Sequence, residues 1–315
     1  MSINQMSINQ MSINQKLAGK VAVVAGATRG AGRGIAVELG AAGATVYCTG
    51  RSVRGQVSPS HRPETINETA DMVTAAGGTG IAIQTDHLVE EQVKALFERV
   101  AREQEGRLDI LVNDIWGGEE LTQWDVPFWE QDMTRGLHLL ENAVYTHLLT
   151  SRWGVPLMAA QGSGLIIEVG DGTGYNYRGS LFYSLAKVSV IHAAEAMTAD
   201  LDERGLSGIA ALALTPGYLR SEWMLDHWGI TENEWQEKAQ TGGFQYGGTE
   251  SPYYIGRAVA ALASDPSIGA KKGKCLNTAD LMKEYGFTDW DGRQPVFDWQ
   301  PAFCRNCPAR EPGTG

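Results

Sequence analysis

The chain has 315 residues, and its 37 aspartates and glutamates outnumber its 26 lysines and arginines, which gives a formal net charge of −11 and a pI of about 5.1. This acidic balance argues against nucleic acid and against an anionic membrane surface as partners. The sequence has no run of eighteen apolar residues and no secretory pattern at its start, so we expect no membrane span and a cytoplasmic location.

The two ends of the chain differ in composition from the rest. Residues 1–15 are three copies of the pentapeptide MSINQ, a tag-like repeat that cannot build a core. Residues 296–315 form a tail with Cys304 and Cys307 in a CRNC sequence. These cysteines lack the further ligands that zinc needs, and the six histidines show no ligand spacing, so we predict no metal site. The folded domain is expected to occupy 16–295.

Between these ends, short apolar runs alternate with helical patterns, which is typical of βαβ units around a parallel sheet. Strands are predicted at 21–27, 44–50, 80–86, 108–114, 165–171, 209–217 and 273–277. Six helices are predicted. The first follows the glycine-rich turn and ends at 42, and the second follows the loop at 52–62 and ends at about 76. The others cover 89–104, about 131–151, about 183–204 and 251–264. The fold class is therefore α/β: a single domain with a doubly wound (Rossmann) parallel sheet of about seven strands.

Residues 218–250 are rich in Trp, Gly and charge and have few periodic apolar positions. We interpret this segment as a substrate lid within the domain rather than as scaffold. Its Trp223, Trp228 and Trp235 indicate a bulky, partly apolar small-molecule substrate, although tryptophans also serve as hinges and packing anchors.

The sequence AGATRGAGRG joins the first strand to the first helix. Glycines at Gly26, Gly30 and Gly32 allow a tight turn, let backbone N–H groups approach a pyrophosphate and present that anion to the positive end of the helix. After the second strand, where an NAD enzyme has an acid for the ribose hydroxyls, the chain has Arg51. Together with Arg29 in the glycine turn, Arg51 favours NADP, because two guanidiniums can bind a 2′-phosphate. Each arginine also fits an ordinary surface charge, but the missing acid beside Arg51 favours the cofactor site.

Three neighbouring polar residues complete this predicted cofactor site. Thr28 lies in the glycine turn and Ser52 follows Arg51. Asp86 ends the third predicted strand and is a candidate for binding the adenine edge.

Tyr183 and Lys187 lie four residues apart in SLFYSLAKVSV. On a helix, positions i and i+4 share a face, so the ammonium is expected to lie beneath the phenol. A phenol titrates near about 10, and a nearby positive charge favours the phenolate. The pair therefore predicts a site where hydride passes between a nicotinamide and a carbonyl carbon while Tyr183 gives or takes the proton. Alone, the motif also fits a half-buried Tyr and a solvated Lys, but the glycine turn upstream favours the site.

In this combination the chain resembles the short-chain dehydrogenase/reductase family over about residues 17–285. The resemblance rests on the glycine turn, Asp86, Asn113, Tyr183, Lys187, Pro216 and Gly217. It implies that Asn113, Pro216, Gly217 and Ser221 contribute to binding the cofactor, with Ser221 where the family often has a Thr that touches the nicotinamide amide. It further implies that Lys187 binds the cofactor ribose and that Asn142 holds a water that relays protons to Lys187.

The resemblance also implies a homodimer or homotetramer, with the Tyr183 helix and the long helix before it at the subunit interfaces. It does not identify the substrate, because the family uses one scaffold for many alcohols and ketones.

The chain departs from the family pattern at two places. The catalytic serine of the family ends the fifth strand, and here Asp171 stands there in EVGDGTG. Asp171 is interpreted as a protonated donor in place of the serine, as an ionised carboxylate that binds a cationic substrate, or as a turn residue; we prefer the ionised carboxylate because the DGTG turn is expected to be solvent-accessible. The other departure is NDIWGG at 113–118, where Trp116 is expected to narrow the floor of the cofactor cleft or to pack against it.

The sequence therefore predicts an NADP(H)-dependent oxidoreductase that interconverts a carbonyl, or an imine, and its reduced form, with Tyr183, Lys187, Asn142 and Asp171 as the catalytic residues. One alternative is a non-catalytic NADP-binding regulatory protein, in which loss of the serine marks loss of catalysis. The other is a non-redox epimerase or dehydratase that recycles its cofactor.

Overall fold

The computed structural model describes residues 15–56, 58, 61–241 and 248–296. Within these residues one parallel sheet has the strand order β3-β2-β1-β4-β5-β6-β7. Its strands are β1 (Val21–Ala25), β2 (Thr45–Gly50), β3 (Thr79–Gln84), β4 (Ile110–Asn113), β5 (Gly164–Val169), β6 (Ile209–Thr215) and β7 (Cys275–Asn277). The prediction of a single-domain, doubly wound α/β fold with seven strands is confirmed, and the predicted strand ends shift by no more than two residues.

The helices of the described part are α1 (Gly30–Ala41), α2 (Ile66–Ala75), α3 (Glu90–Glu103), α4 (Met133–Leu140), α5 (Thr146–Gln161), α6 (Leu181–Glu203), α7 (Glu222–Trp228), α8 (Trp235–Thr241), α9 (Pro252–Ala263) and α10 (Thr278–Tyr285). A 3₁₀ turn at Ile268–Lys271 precedes β7. Across the described ranges, the search for a helix with the length and apolar character of a membrane span finds none.

The strands are continuous apolar runs because helices cover both faces of the sheet. One face packs against α1 and α9 through residues such as Ile35 and Val259, and the other packs against α3 and α5 through Phe97 and Met158. The chain winds outward from β1 to β3 and then crosses back to place β4 on the other side of β1. This reversal leaves a crevice at the carboxyl ends of the strands, which is where doubly wound folds bind ligands.

The helix predicted over about 131–151 begins at Met133, two residues later than predicted, is interrupted by a π-helical turn and ends ten residues further on, at Gln161. Asp132 caps α4, because its side chain accepts hydrogen bonds from the backbone N–H groups of the next turn. A π-helical turn at Glu141–Tyr145 then separates α4 from α5. The helix continues to Gln161 and ends at Gly162, which has a φ of 75°. The π-turn carries Asn142, and turns of this kind are frequent at functional sites.

The segment 218–250, which the sequence analysis interprets as a substrate lid, contains the short helices α7 and α8. At its base, the buried guanidinium of Arg220 lies 2.9 Å from Glu232 and donates to the carbonyl and hydroxyl oxygens of Thr249. Trp235 is buried, with the Arg220 guanidinium 3.9 Å from its ring centroid. Trp235 is thus a packing anchor, and the role of the segment as a lid stays a prediction.

The predicted repeat at 1–15 and the tail at 296–315 lie outside the described residues, apart from Gln15 and Val296. The CRNC sequence lies in that part of the tail. Residues 242–247 of the predicted lid are also outside the description.

Candidate active site

A cleft of about 560 Å³ opens at the carboxyl ends of the strands. Many of the predicted site residues line it together: Gly26, Thr28, Arg29, Gly30, Arg51, Ser52, Asp86, Asn142, Lys187, Pro216 and Ser221. Tyr183 is not among the lining residues, but the centroid of its ring lies 5.5 Å from that of Trp116, which lines the cleft. The structure therefore brings the predicted cofactor residues and the Tyr-Lys pair to one place.

The glycine turn leaves no room for side chains. Gly26 and Gly30 have φ values of 91° and 57°, a region that favours glycine. A Cβ on Gly26 would collide with the backbone of Asp114, and a Cβ on Gly32 would collide with the carbonyl oxygen of Gly26. The backbone is thus close-packed at the N-terminus of α1, where N–H groups and the helix dipole suit a pyrophosphate.

Three arginines lie along this rim of the cleft, two of them paired with carboxylates. Arg51 is exposed just after β2, and Arg29 immediately precedes α1 with its Nε 3.3 Å from Glu64 Oε2. A third arginine on the cleft, Arg62, was not among the predicted site residues; it lies 2.8 Å from Glu64. It belongs to an irregular polar loop, where no periodicity indicates which side chains turn inward.

Asp86 follows β3, lines the cleft and accepts a hydrogen bond from the Leu88 N–H at 3.0 Å. Pro216 and Ser221 line the opposite wall. Gly217 is buried beside them, and its N–H donates to the Glu250 carboxylate.

Asn113 does not line the cleft. Its amide group is buried and donates to Ser151 at 2.9 Å and to Glu168 at 2.7 Å. Glu168 also lies 2.6 Å from Nδ1 of His147, whose Nε2 lies 3.0 Å from the carbonyl oxygen of Ile115. The Asn113 side chain therefore makes its donor bonds inside the fold, and the role of Asn113 in binding a cofactor stays a prediction.

The Tyr183 hydroxyl donates a hydrogen bond to Asp171 Oδ2 at 2.6 Å. Tyr183 and Lys187 occupy the first two turns of α6, and the Lys187 Nζ lies 5.6 Å from the centroid of the Tyr183 ring. The same ammonium lies only 3.9 Å from the centroid of the Trp116 ring, and Trp124 contacts Tyr183 from another side at 5.0 Å. The phenol is therefore enclosed by two indoles and one carboxylate.

The pKa of Tyr183 is raised well above its usual range by burial, and then by the charge of Asp171 and the hydrogen bond to it. The expected direction was the opposite, with Lys187 lowering the pKa of the phenol. The difference has a geometric cause, because Asp171 contacts the hydroxyl directly while the ammonium lies over the Trp116 ring. Burial lowers the pKa of Lys187, and the nearby carboxylates of Asp171, Asp114 and Glu119 oppose that shift.

Of the three carboxylates near Lys187, those of Asp114 and Glu119 were not among the predicted site residues. Asp114 and Glu119 line the cleft, and burial raises the pKa of Asp114 to about 7 and also raises that of Glu119. The signal for Asp114 was available, since it is the second residue of NDIWGG, the segment that departs from the family pattern.

A short chain dehydrogenase family model matches residues 20–228. The chain is 34% identical over 285 residues to "Dehydrogenase/reductase SDR family member 1" of Mus musculus, covering 90% of this chain and 87% of that protein. It is 29% identical over 209 residues to 7alpha-hydroxysteroid dehydrogenase of Escherichia coli (strain K12), covering 65% and 75% of the two chains. A crystal structure of a short chain dehydrogenase from Mycobacterium thermoresistibile has the same fold, with a TM-score of 0.71 over 89% of this chain and 92% of that chain, at 22% identity.

Proposed function

The chain belongs to the short-chain dehydrogenase/reductase family, and from that premise we propose that this oxidoreductase uses NADP(H) to interconvert a carbonyl compound, or an imine, and its reduced form. The observation that carries the proposal is the placement of Tyr183 and Lys187 beside a cleft that begins at a close-packed glycine turn. A bound nicotinamide supplies or accepts the hydride in such a site.

Other residues are assigned to binding the phosphates of the cofactor and to transferring the proton. The turn at Gly26 and Gly30 holds the pyrophosphate at the N-terminus of α1. Arg51 and Arg29 bind the 2′-phosphate, and the position of Arg62 on the same cleft supports that assignment. In the reductive direction Tyr183 gives its proton to the oxygen or nitrogen of the substrate, and the Lys187 ammonium binds the ribose and offsets the negative charge left on the phenol.

Asp171 is proposed to act as an ionised carboxylate. A tyrosine hydroxyl that donates at 2.6 Å needs an acceptor, and an ionised carboxylate is an acceptor only. In this form Asp171 keeps the proton on Tyr183 until the substrate takes the hydrogen bond, and it favours a cationic group such as an iminium next to the phenol.

The surroundings of Tyr183 support a bulky, partly apolar substrate. Trp116 and Trp124 contact the phenol, and Trp223 lines the cleft. Of the other lid tryptophans, Trp235 is buried as an anchor and Trp228 stacks on Tyr218. One similar protein is named as a dehydrogenase of a hydroxysteroid, and a steroid is a large, mostly apolar molecule.

A homo-oligomer remains part of the proposal. Exposed apolar side chains lie on the long helices that the resemblance places at subunit interfaces: Met133, Leu137, Leu148 and Leu185. Apolar side chains that are exposed in this way are typical of surfaces that a second copy covers.

One observation favours the regulatory alternative. The hydrogen bond from Tyr183 to Asp171, with the raised pKa of the phenol, would make Tyr183 a weaker acid than a dehydrogenase needs. A panel of ketones and imines separates the two proposals, because a regulator binds NADPH and turns over none of them.

Cofactor choice is expected to depend on Arg51. Arg51→Ala removes a charge-assisted contact with the 2′-phosphate and should weaken NADPH binding by about 1.5–3 kcal/mol, which is about one to two powers of ten in affinity, while NADH binding changes little. Fluorescence titration of both cofactors measures this. Arg102→Ala, on the exposed surface of α3, is the matched control and should alter neither. Equal affinity of the wild type for NADPH and NADH would contradict the assignment.

The pH dependence of reduction is expected to change in Asp171→Asn. Reduction needs protonated Tyr183, so activity is lost as the pH rises through the pKa of the phenol. In the wild type that pKa is raised, and Tyr183 causes no loss below about pH 10. The variant lacks the negative charge that helps to raise the pKa of Tyr183. The loss of its activity at alkaline pH should therefore begin at lower pH, and its KM for a cationic substrate should rise. Profiles of kcat/KM against pH test this, with Asp171→Ser as a neutral variant that stays active. Wild-type kcat and KM at every pH in Asp171→Ala would leave Asp171 only a turn residue.

A further inference from the structure

The N-terminus of α1 already bonds a carboxylate of the chain itself. The Gly30 N–H donates to Glu222 Oε2 at 2.7 Å, and Glu222 Oε1 lies 3.7 Å from Nε of Arg33. Glu222 is the first residue of α7 and lies 192 positions along the chain from Gly30. A remote helix therefore places a negative charge at the end of the glycine turn.

The Glu222 carboxylate lies at a helix end that has no capping side chain and no acid of its own. The residue that precedes α1, Arg29, makes no side-chain capping bond, and the first turn of the helix contains no acid. The leading N–H groups of such a helix, together with its dipole, attract an anion. Glu222 meets that demand with a carboxylate on the N–H of Gly30, a residue of the turn that lines the cleft and is expected to hold the pyrophosphate of a dinucleotide.

A second ion pair holds the same helix against the rim of the cleft. One turn beyond Glu222, Asp226 lies 2.7 Å from Nη2 of Arg62, which lines the cleft. The Glu222 side chain is only 26% exposed, so its contacts are made largely out of water. The acidic face of α7 is thus docked on the positive groups that the phosphates of a cofactor would need.

We propose that α7 is a self-clamp, in which Glu222 is an internal anion that competes with the pyrophosphate for the N-terminus of α1. The inference rests on the proposed function, because it requires a dinucleotide in the cleft. Two anions at one helix end repel each other, so binding of the cofactor breaks the bond between Gly30 and Glu222 and moves α7 away from the rim. The apparent affinity for the cofactor is then the intrinsic affinity multiplied by the fraction of molecules in which the clamp is open.

The test compares Glu222→Gln with the wild type. The amide keeps the size of the side chain and removes its charge. Its dissociation constant for NADPH should fall about tenfold, the effect expected from loss of one charge-assisted competitor. The affinity for ADP, which carries a pyrophosphate without the nicotinamide, should rise by the same factor. The affinity for adenosine, which carries no phosphate, should not change. Asp226→Asn should show a smaller gain in the same direction.

Glu237→Gln is the matched control, since Glu237 is exposed on α8 and the change in net charge is the same. Its affinity for NADPH should stay within about twofold of the wild type, because an exposed charge away from the ligand is screened by salt. Equal affinities of the wild type and Glu222→Gln for NADPH and ADP would overturn the clamp while leaving the proposed function intact. A gain in Glu237→Gln as large as that in Glu222→Gln would also overturn it. Absence of any nucleotide binding by the wild type and by Glu222→Gln would instead overturn the proposed function, and the clamp with it.

Discussion

Replacement of Tyr183 by Phe is expected to lower kcat by about 10²–10⁴-fold, the range that a positioned general acid or base contributes. The substitution removes only the hydroxyl that donates to Asp171, and the ring keeps its contacts with Trp116 and Trp124. NADPH binding should therefore remain close to that of the wild type. Turnover of a ketone or imine substrate is followed by the nicotinamide absorbance, and NADPH binding by fluorescence titration.

Tyr177→Phe provides the control, because Tyr177 is exposed in the loop before α6 and the same atom is removed. This variant should keep wild-type turnover. If Tyr183→Phe retained most of the wild-type rate on a true substrate, the proton donor would lie elsewhere, and Asp171 would be the first residue to test.

Replacement of Arg220 by Leu is expected to lower the free energy of unfolding by about 3–5 kcal/mol, because it breaks a buried ion pair by removing one partner. The Arg220 guanidinium is 0% exposed and lies 2.9 Å from Glu232 and 3.9 Å from Asp289, whose side chain is also 0% exposed. Without Arg220, Asp289 loses a buried counter-charge, and Trp235 loses one of the two guanidiniums that lie over its ring, the other being that of Arg293. Urea unfolding measures the change.

Arg204→Leu is the control for this prediction. Arg204 has a side chain that is 64% exposed, so its loss should change the free energy of unfolding by no more than about 0.5 kcal/mol. Equal stability of Arg220→Leu and the wild type would mean that the buried ion pair does not hold the base of the segment 218–250.

The order of elements and the glycine turn were predictable because they depend on local patterns. Apolar runs bounded by turn residues indicate strands, and Gly26 and Gly30 have φ values that favour glycine. The placement of Tyr183 and Lys187 on one helical face follows from their spacing. These features need no knowledge of which distant segments meet.

The remaining features depend on contacts between distant residues, which no local pattern reveals. The bond between Glu222 and Gly30 joins segments 192 positions apart, and the short helices α7 and α8 have too few apolar positions to show a period. The environment of Tyr183 also depends on packing, since spacing predicted the approach of Lys187 but not the Trp116 ring beneath the ammonium.

A deuterium label on the transferred hydrogen tests directly whether hydride passes from the nicotinamide to a carbonyl or imine carbon while Tyr183 supplies the proton. The enzyme is incubated with NADPH that carries two deuterium atoms at C4 of the nicotinamide, so that either face of the ring transfers label, and with a panel of ketones and imines; the products are analysed by mass spectrometry. We expect a reduced product with one deuterium on the former carbonyl or imine carbon, in an amount equal to the NADP⁺ formed, and almost none with Tyr183→Phe. Tight binding of NADPH with no reduced product, or a reduced product without deuterium, would contradict hydride transfer from the nicotinamide.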